Sequence, residues 1–133
     1  MDDFTLEDEL AVRTTLARYC RTCDDGDIAG VSALFAPDGV FAVPARNLEA
    51  RGTAAITACF EESQGPPERR GKHLTLNTVL ETGNGRVTAV SDFLFLRPVG
   101  AQPVLAMAGR YDDEFVKIDG RWVFARREVQ AGR

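Results

Sequence analysis

The chain has 133 residues, 44% of them apolar, which is enough for one domain with its own core and too much for a disordered or collagen-like chain. Sixteen basic and twenty acidic residues leave a net charge of −4 with the arginines scattered, which argues against nucleic acid as a partner, since such binding needs a concentrated basic face. Apolar stretches such as Phe93 to Leu96 fall far short of the ~20 residues that cross a bilayer, the acidic start Met1-Asp2-Asp3-Phe4 is unlike a secretory leader, and three cysteines fit a reducing compartment, so a cytoplasmic protein without membrane contact is expected.

Thr5 followed by Asp8 has the form of a capping box, and Val12, Leu16, Tyr19 and Cys23 recur at helical spacing, which predicts a first helix over about 6–22. Asp24-Asp25-Gly26 breaks it. Asp27 then caps a second helix with Ile28, Val31, Leu34 and Phe35 on one stripe, ended by Pro37-Asp38-Gly39, and a short strand over 40–43 and a polar loop over 44–51 follow. Thr53 caps a third helix with Ile56, Cys59 and Phe60 inward, stopped by Gly65-Pro66-Pro67.

Beyond that point the period becomes two, and residues 72–82, 86–97, 103–118 and 121–130 read as strands joined by turns. Helices first and consecutive strands afterwards predict an α+β domain over 1–133, three N-terminal helices lying on one face of a curled antiparallel sheet. Alternation in the first long strand sets His73, Thr75, Asn77 and Val79 on one face and Leu74, Leu76 and Leu80 on the other. Apolar residues on both faces predict a homodimer through the sheet; otherwise the leucines lie under the helices and His73 faces water.

Six pieces in order carry a resemblance that covers nearly the whole chain. They are Arg18-Tyr19, Asp24-Asp25-Gly26-Asp27, Leu34 to Gly39, Gly52 before the third helix, Lys72-His73-Leu74 with Asn77, and Gly109-Arg110-Tyr111 with Asp113 ahead of Gly120-Arg121-Trp122. The sequence resembles the SnoaL-like branch of the NTF2-like superfamily. That resemblance implies a cone whose strongly curved, mixed and mostly antiparallel sheet wraps the first helix around an apolar pocket, and it implies a dimer. Relatives include polyketide cyclases, scytalone dehydratase, ketosteroid isomerases, epoxide hydrolases and plain binding modules, so function has to be argued from pocket residues.

His73 is the only histidine and titrates nearest neutral pH of all side chains, which makes it the expected proton carrier. In dehydratase-like relatives a histidine at this strand position faces the pocket and pairs with an acid in the turn after the first helix, which Asp24 matches here. A carboxylate behind one ring nitrogen fixes the tautomer and raises the basicity of the other. Tyr19, on the inward stripe with Leu16 and Cys23, is placed to donate to a developing enolate. Asn77 on the His73 face, Asp113 on the face of Tyr111 and Phe115, and the apolar Leu16 and Phe35 are expected to contact substrate, with Arg127 on the last strand a weaker candidate.

Departures narrow the reaction. Where ketosteroid isomerases carry a carboxylate before a proline, this chain has Val43-Pro44, and where limonene epoxide hydrolases carry Arg-x-Asp it has Val90-Ser91-Asp92. Cys20-Arg-Thr-Cys23 sits at a helix C-terminus, where neither a redox pair nor a zinc site is favoured, and no Gly-rich loop opens a helix. The expectation is an enzyme without cofactor or metal that removes a proton next to the carbonyl of an apolar small molecule, leading to dehydration or aldol-type cyclisation. The alternatives are a non-catalytic binding or scaffold protein, and an isomerase or hydrolase using Asp92 or Asp113. Trp122 is expected to report ligand entry if the last strand borders the pocket.

Overall fold

A computed structural model of the chain describes residues 3–133. The first helix, α1 (Leu6–Asp25), opens with the expected capping box: Thr5 Oγ1 accepts from the Asp8 amide at 3.1 Å, and Asp8 accepts from the Thr5 amide at 3.0 Å. Asp8 also accepts from Trp122 Nε1 at 3.0 Å, which ties the helix start to the last strand. These bonds, the Thr5 amide first, hold its carboxyl well below the usual carboxylate range. At the other end Gly26 turns the chain at φ 69°, and a Cβ there would land on the Arg70 guanidinium, which donates to the carbonyls of Gln64 at 2.7 Å and Gly65 at 2.6 Å.

The second helix, α2 (Ile28–Ser32), is capped by Asp27 as expected but stops short of the predicted stripe. The Leu34 carbonyl accepts from the Phe124 amide at 2.7 Å, and this sheet pairing takes Phe35 out of the helix and into β1 (Phe35–Val43). Pro37-Asp38-Gly39 is an irregularity inside β1, where a Cβ on Gly39 would press on the carbonyls of Ala36 and Phe124. Residues 44–51, expected as a loop, fold back through a 3-10 turn and Asn47 at φ 51° into β2 (Leu48–Arg51), antiparallel to β1. The third helix, α3 (Thr53–Gln64), starts from Gly52 and not from a Thr53 cap, and it buries Ile56, Phe60 and Gln64. Two strands therefore lie between α2 and α3, so the helices do not all come first.

The four long strands, β3 (Lys72–Gly83), β4 (Arg86–Val99), β5 (Gln102–Ile118) and β6 (Arg121–Ala131), match the predicted ones to within two residues. The sheet order is β2-β1-β6-β5-β4-β3, antiparallel except for the β1–β6 pair, with β2 and β3 at open edges. The architecture is α+β, three helices on a six-stranded mixed sheet. Their shared core is aromatic, with Tyr19, Phe35, Phe60, Phe93, Phe115 and Phe124 all buried. No described helix is long and apolar enough to cross a membrane.

A β-bulge breaks the alternation of β3. Leu76 pairs with Asp92 and Val79 with Val90, so Asn77 and Thr78 together face the place of Ser91, and Asn77 takes φ 55°. Ahead of the bulge Thr75 meets Cys20 of α1; after it Thr78 bonds buried Ser91 and Leu80 packs on the core. The extra residue reverses the parity, which corrects the expectation that Asn77 and Val79 share the face of His73: both are exposed.

Candidate active site

Asp24 lies in the last turn of α1, at the negative end of the helix dipole, and no basic residue shares that turn. Its charge is held from β3 instead. The His73 amide donates to both carboxylate oxygens at 3.1 Å, and His73 Nδ1 meets Oδ1 at 2.6 Å. A carboxylate only accepts, so Nδ1 carries the proton and Nε2 is the nitrogen free to exchange one. The ring is fixed in place by Phe95, 4.6 Å between centroids, and by the edge of Tyr19 at 6.1 Å, yet the side chain keeps 10% of its surface. It is clamped but reachable.

His73 stands between two hollows. A cleft of about 480 Å³ runs along α1 and β3, lined by Arg13, Leu16, Cys20, Asp24 and Lys72 among others. An inner cavity of about 290 Å³ lies between α3 and the sheet, walled by Tyr19, Phe41, Phe60, Phe93, Phe95 and Tyr111 with His73. Asp24 borders the cleft but not the cavity, so from inside the cavity the carboxylate is behind the imidazole.

Tyr19 is buried, and burial pushes its phenol well above the usual range, so the hydroxyl stays protonated as a donor. A sealed ion pair supports it. Arg127 Nε and Nη2 donate to Asp113 Oδ1 and Oδ2 at 2.8 and 2.9 Å, and the guanidinium carbon lies 3.6 Å from the Tyr111 ring centroid and 4.2 Å from that of Tyr19. Burial opposes the Arg127 charge, but the Asp113 carboxylate more than offsets this and holds the guanidinium above its ordinary range. Burial pushes the Asp113 carboxyl up, against the pull of Arg127.

The predicted residues separate into two groups. His73, Asp24 and Tyr19 come together, and Leu16 lines the outer cleft. Phe35 borders neither hollow, because its move into β1 packs it against Phe41, Phe60 and Phe124. Asp113 faces inward but is closed off by Arg127, and Asn77, turned outward by the bulge, donates to Asp92 at 2.8 Å. Trp122 packs on Phe4 and is not a wall of the cavity. Burial pushes the Cys20 and Cys23 thiols up, which makes both poor nucleophiles. The sequence reading missed Phe95 and Tyr111 as walls and underweighted Arg127. The available signal was parity: Asp113 and Arg127 are inward-facing and directly opposite on neighbouring strands.

The family model of the SnoaL-like domain matches residues 5–128. Among solved structures the chain is similar to a variant of Rv3472, described as a protein of unknown function from Mycobacterium tuberculosis, at 27% identity and a TM-score of 0.84 over 98% of this chain and 78% of that one. It is similar to an NTF2-like protein with a cystatin-like fold from Novosphingobium aromaticivorans, at 25% identity and 0.83 over 99% and 92%. It shares its fold with ActVI-ORFA from Streptomyces coelicolor, at 24% identity and 0.82 over 93% and 96%. A search of the curated proteins found no match. With the family model spanning almost all of the sequence and the fold in agreement, the chain belongs to the SnoaL-like family of the NTF2-like superfamily.

Proposed function

We propose that this protein is a cofactor-independent enzyme that removes a proton next to the carbonyl of an apolar small molecule, as a dehydratase or an aldol-type cyclase. The observation that carries this reading is the 2.6 Å contact of His73 Nδ1 with Asp24, which leaves Nε2 free beside an aromatic-walled cavity. Nε2 takes the proton from the carbon next to the carbonyl, and Asp24 stabilises the imidazolium that forms. The Tyr19 hydroxyl donates to the enolate oxygen in a cavity whose apolar walls strengthen that bond. The enolate then expels a β-hydroxyl, which leaves as water with the proton from Nε2, or it attacks a second carbonyl and the proton goes to the new alkoxide.

Exposed apolar residues on the outer face of adjacent strands, Leu76, Val79 and Val90, support a homodimer through the sheet. The catalytic reading is tested by incubating the protein with 2-tetralone in D2O and following the α-protons by NMR. The wild type exchanges them faster than buffer, and His73→Ala does not. Exchange at the buffer rate by the wild type would leave a binding protein in place of an enzyme, and equal acceleration by both proteins would place the base elsewhere. Product mass and chromatography with a β-hydroxyketone that carries a second, remote carbonyl then separate elimination, which loses water, from aldol cyclisation, which keeps the mass and closes a ring.

A further inference from the structure

The inner cavity is lined by two arginines and by no carboxylate. Arg69 ends the 3-10 turn after α3, and Arg97 lies on β4; both are exposed, which places them at the rim. Arg69 Nη1 donates to the Glu62 carbonyl at 3.1 Å, and the Arg97 guanidinium stands 5.5 Å from the Phe95 ring, the ring that packs at a tilt against His73. Neither joins the ion pairs formed among the described residues. In a chain of net charge −4 these are two cations without a close ion-pair partner at one opening, and such a rim draws in and orients an anion. Gln64 borders the same hollow and is buried, and its Oε1 has no hydrogen-bond partner, so its amide is left unsatisfied by the protein.

We infer that the cavity selects a flat apolar carboxylic acid that also bears the reacting carbonyl, its carboxylate at Arg69 and Arg97 and a polar group on its body meeting the Gln64 amide. This names the substrate class for the reaction proposed above and rests on that reading. It also gives the substrate a direction: the anchored anion stays at the rim, and the apolar body passes Phe95 to reach His73.

The test is calorimetric titration with 2-naphthoate and its neutral isostere 2-naphthamide at low salt. Naphthoate should bind about tenfold more tightly, as two rim charges each add a modest increment. Arg69→Gln/Arg97→Gln, at exposed positions, should erase that preference and leave naphthamide binding unchanged, and added salt should weaken naphthoate alone. A hydroxyl at carbon 6 of naphthoate should add affinity that Gln64→Met removes. Equal affinity of wild type for acid and amide, or a preference that survives in the double variant, overturns the inference. His73→Ala should keep the preference, since no proton moves on binding. Failed exchange with tetralone at concentrations where calorimetry shows it bound would thus sink the catalytic reading alone, and absent acid preference would sink the substrate class alone.

Discussion

Asp24 with His73 and Asp113 with Arg127 are two carboxylates held by nitrogen donors, and both donors pack against one aromatic residue, Tyr19. They differ in access. Side chains of the first pair keep 10% and 18% of their surface, and those of the second keep none. They differ also in the donor, because the guanidinium, held above its ordinary range, keeps its protons at every working pH, whereas the imidazole has a second ring nitrogen that the carboxylate does not engage. Burial and donor chemistry together leave the sealed pair to hold the rings in place, and under the proposed mechanism the open pair moves the proton.

The two pairs should break differently. His73→Ala should lower turnover by about 10² to 10⁴, roughly 3–5 kcal/mol of barrier, with a loss of stability of only about 1–2 kcal/mol because Asp24 keeps the His73 amide and some contact with water. Arg127→Met should do the reverse, costing about 3–5 kcal/mol in denaturant unfolding because Asp113 is left buried without its partner, and Arg127→Met/Asp113→Leu should recover most of the loss. A loss under about 1 kcal/mol in the single variant would mean that water reaches the pair. Tyr19→Phe, which removes the hydroxyl that the proposed mechanism aims at the enolate but keeps the ring on Arg127, should reduce turnover about 10²-fold at nearly unchanged stability.

The smallest effect comes from a carboxylate remote from both pairs. Asp8 is held low by the Thr5 amide and Trp122, so its contribution to stability is present above its unfolded value near pH 4 and is lost as pH falls from there toward the lowered folded value. Denaturation of the wild type should weaken more steeply below pH 4 than that of Asp8→Asn, and parallel curves would show that the capping box does not act this way.

The regular parts of the molecule were legible wherever side-chain period and turn chemistry agreed. The capping box at Thr5 and the four long strands follow from local patterns that tertiary packing reinforces. The misreadings came from pairings between distant residues. Phe35 has a helical stripe position, yet the Leu34 carbonyl is taken by Phe124, far along the chain. Asn77 has the parity of His73, yet a single extra residue in β3 turns it to solvent, and nothing in the local sequence announces a bulge at that point. The meeting of His73 and Asp24 was expected through the family resemblance, while the contact of Asp113 with Arg127 needed the cross-strand register. The pocket walls on β4 and β5 were hidden for the same reason, since every inward residue of a strand looks alike until depth is known.

The most direct test of a proton-carrying His73 is the ¹⁵N NMR spectrum of the imidazole, which a single histidine makes unambiguous. Recorded at a pH where the ring is neutral, the spectrum should show the proton at Nδ1 and a bare Nε2, with loss of that fixed tautomer in Asp24→Asn. A ring protonated at Nε2, or one that averages both forms equally in wild type and variant, would contradict the proposed mechanism.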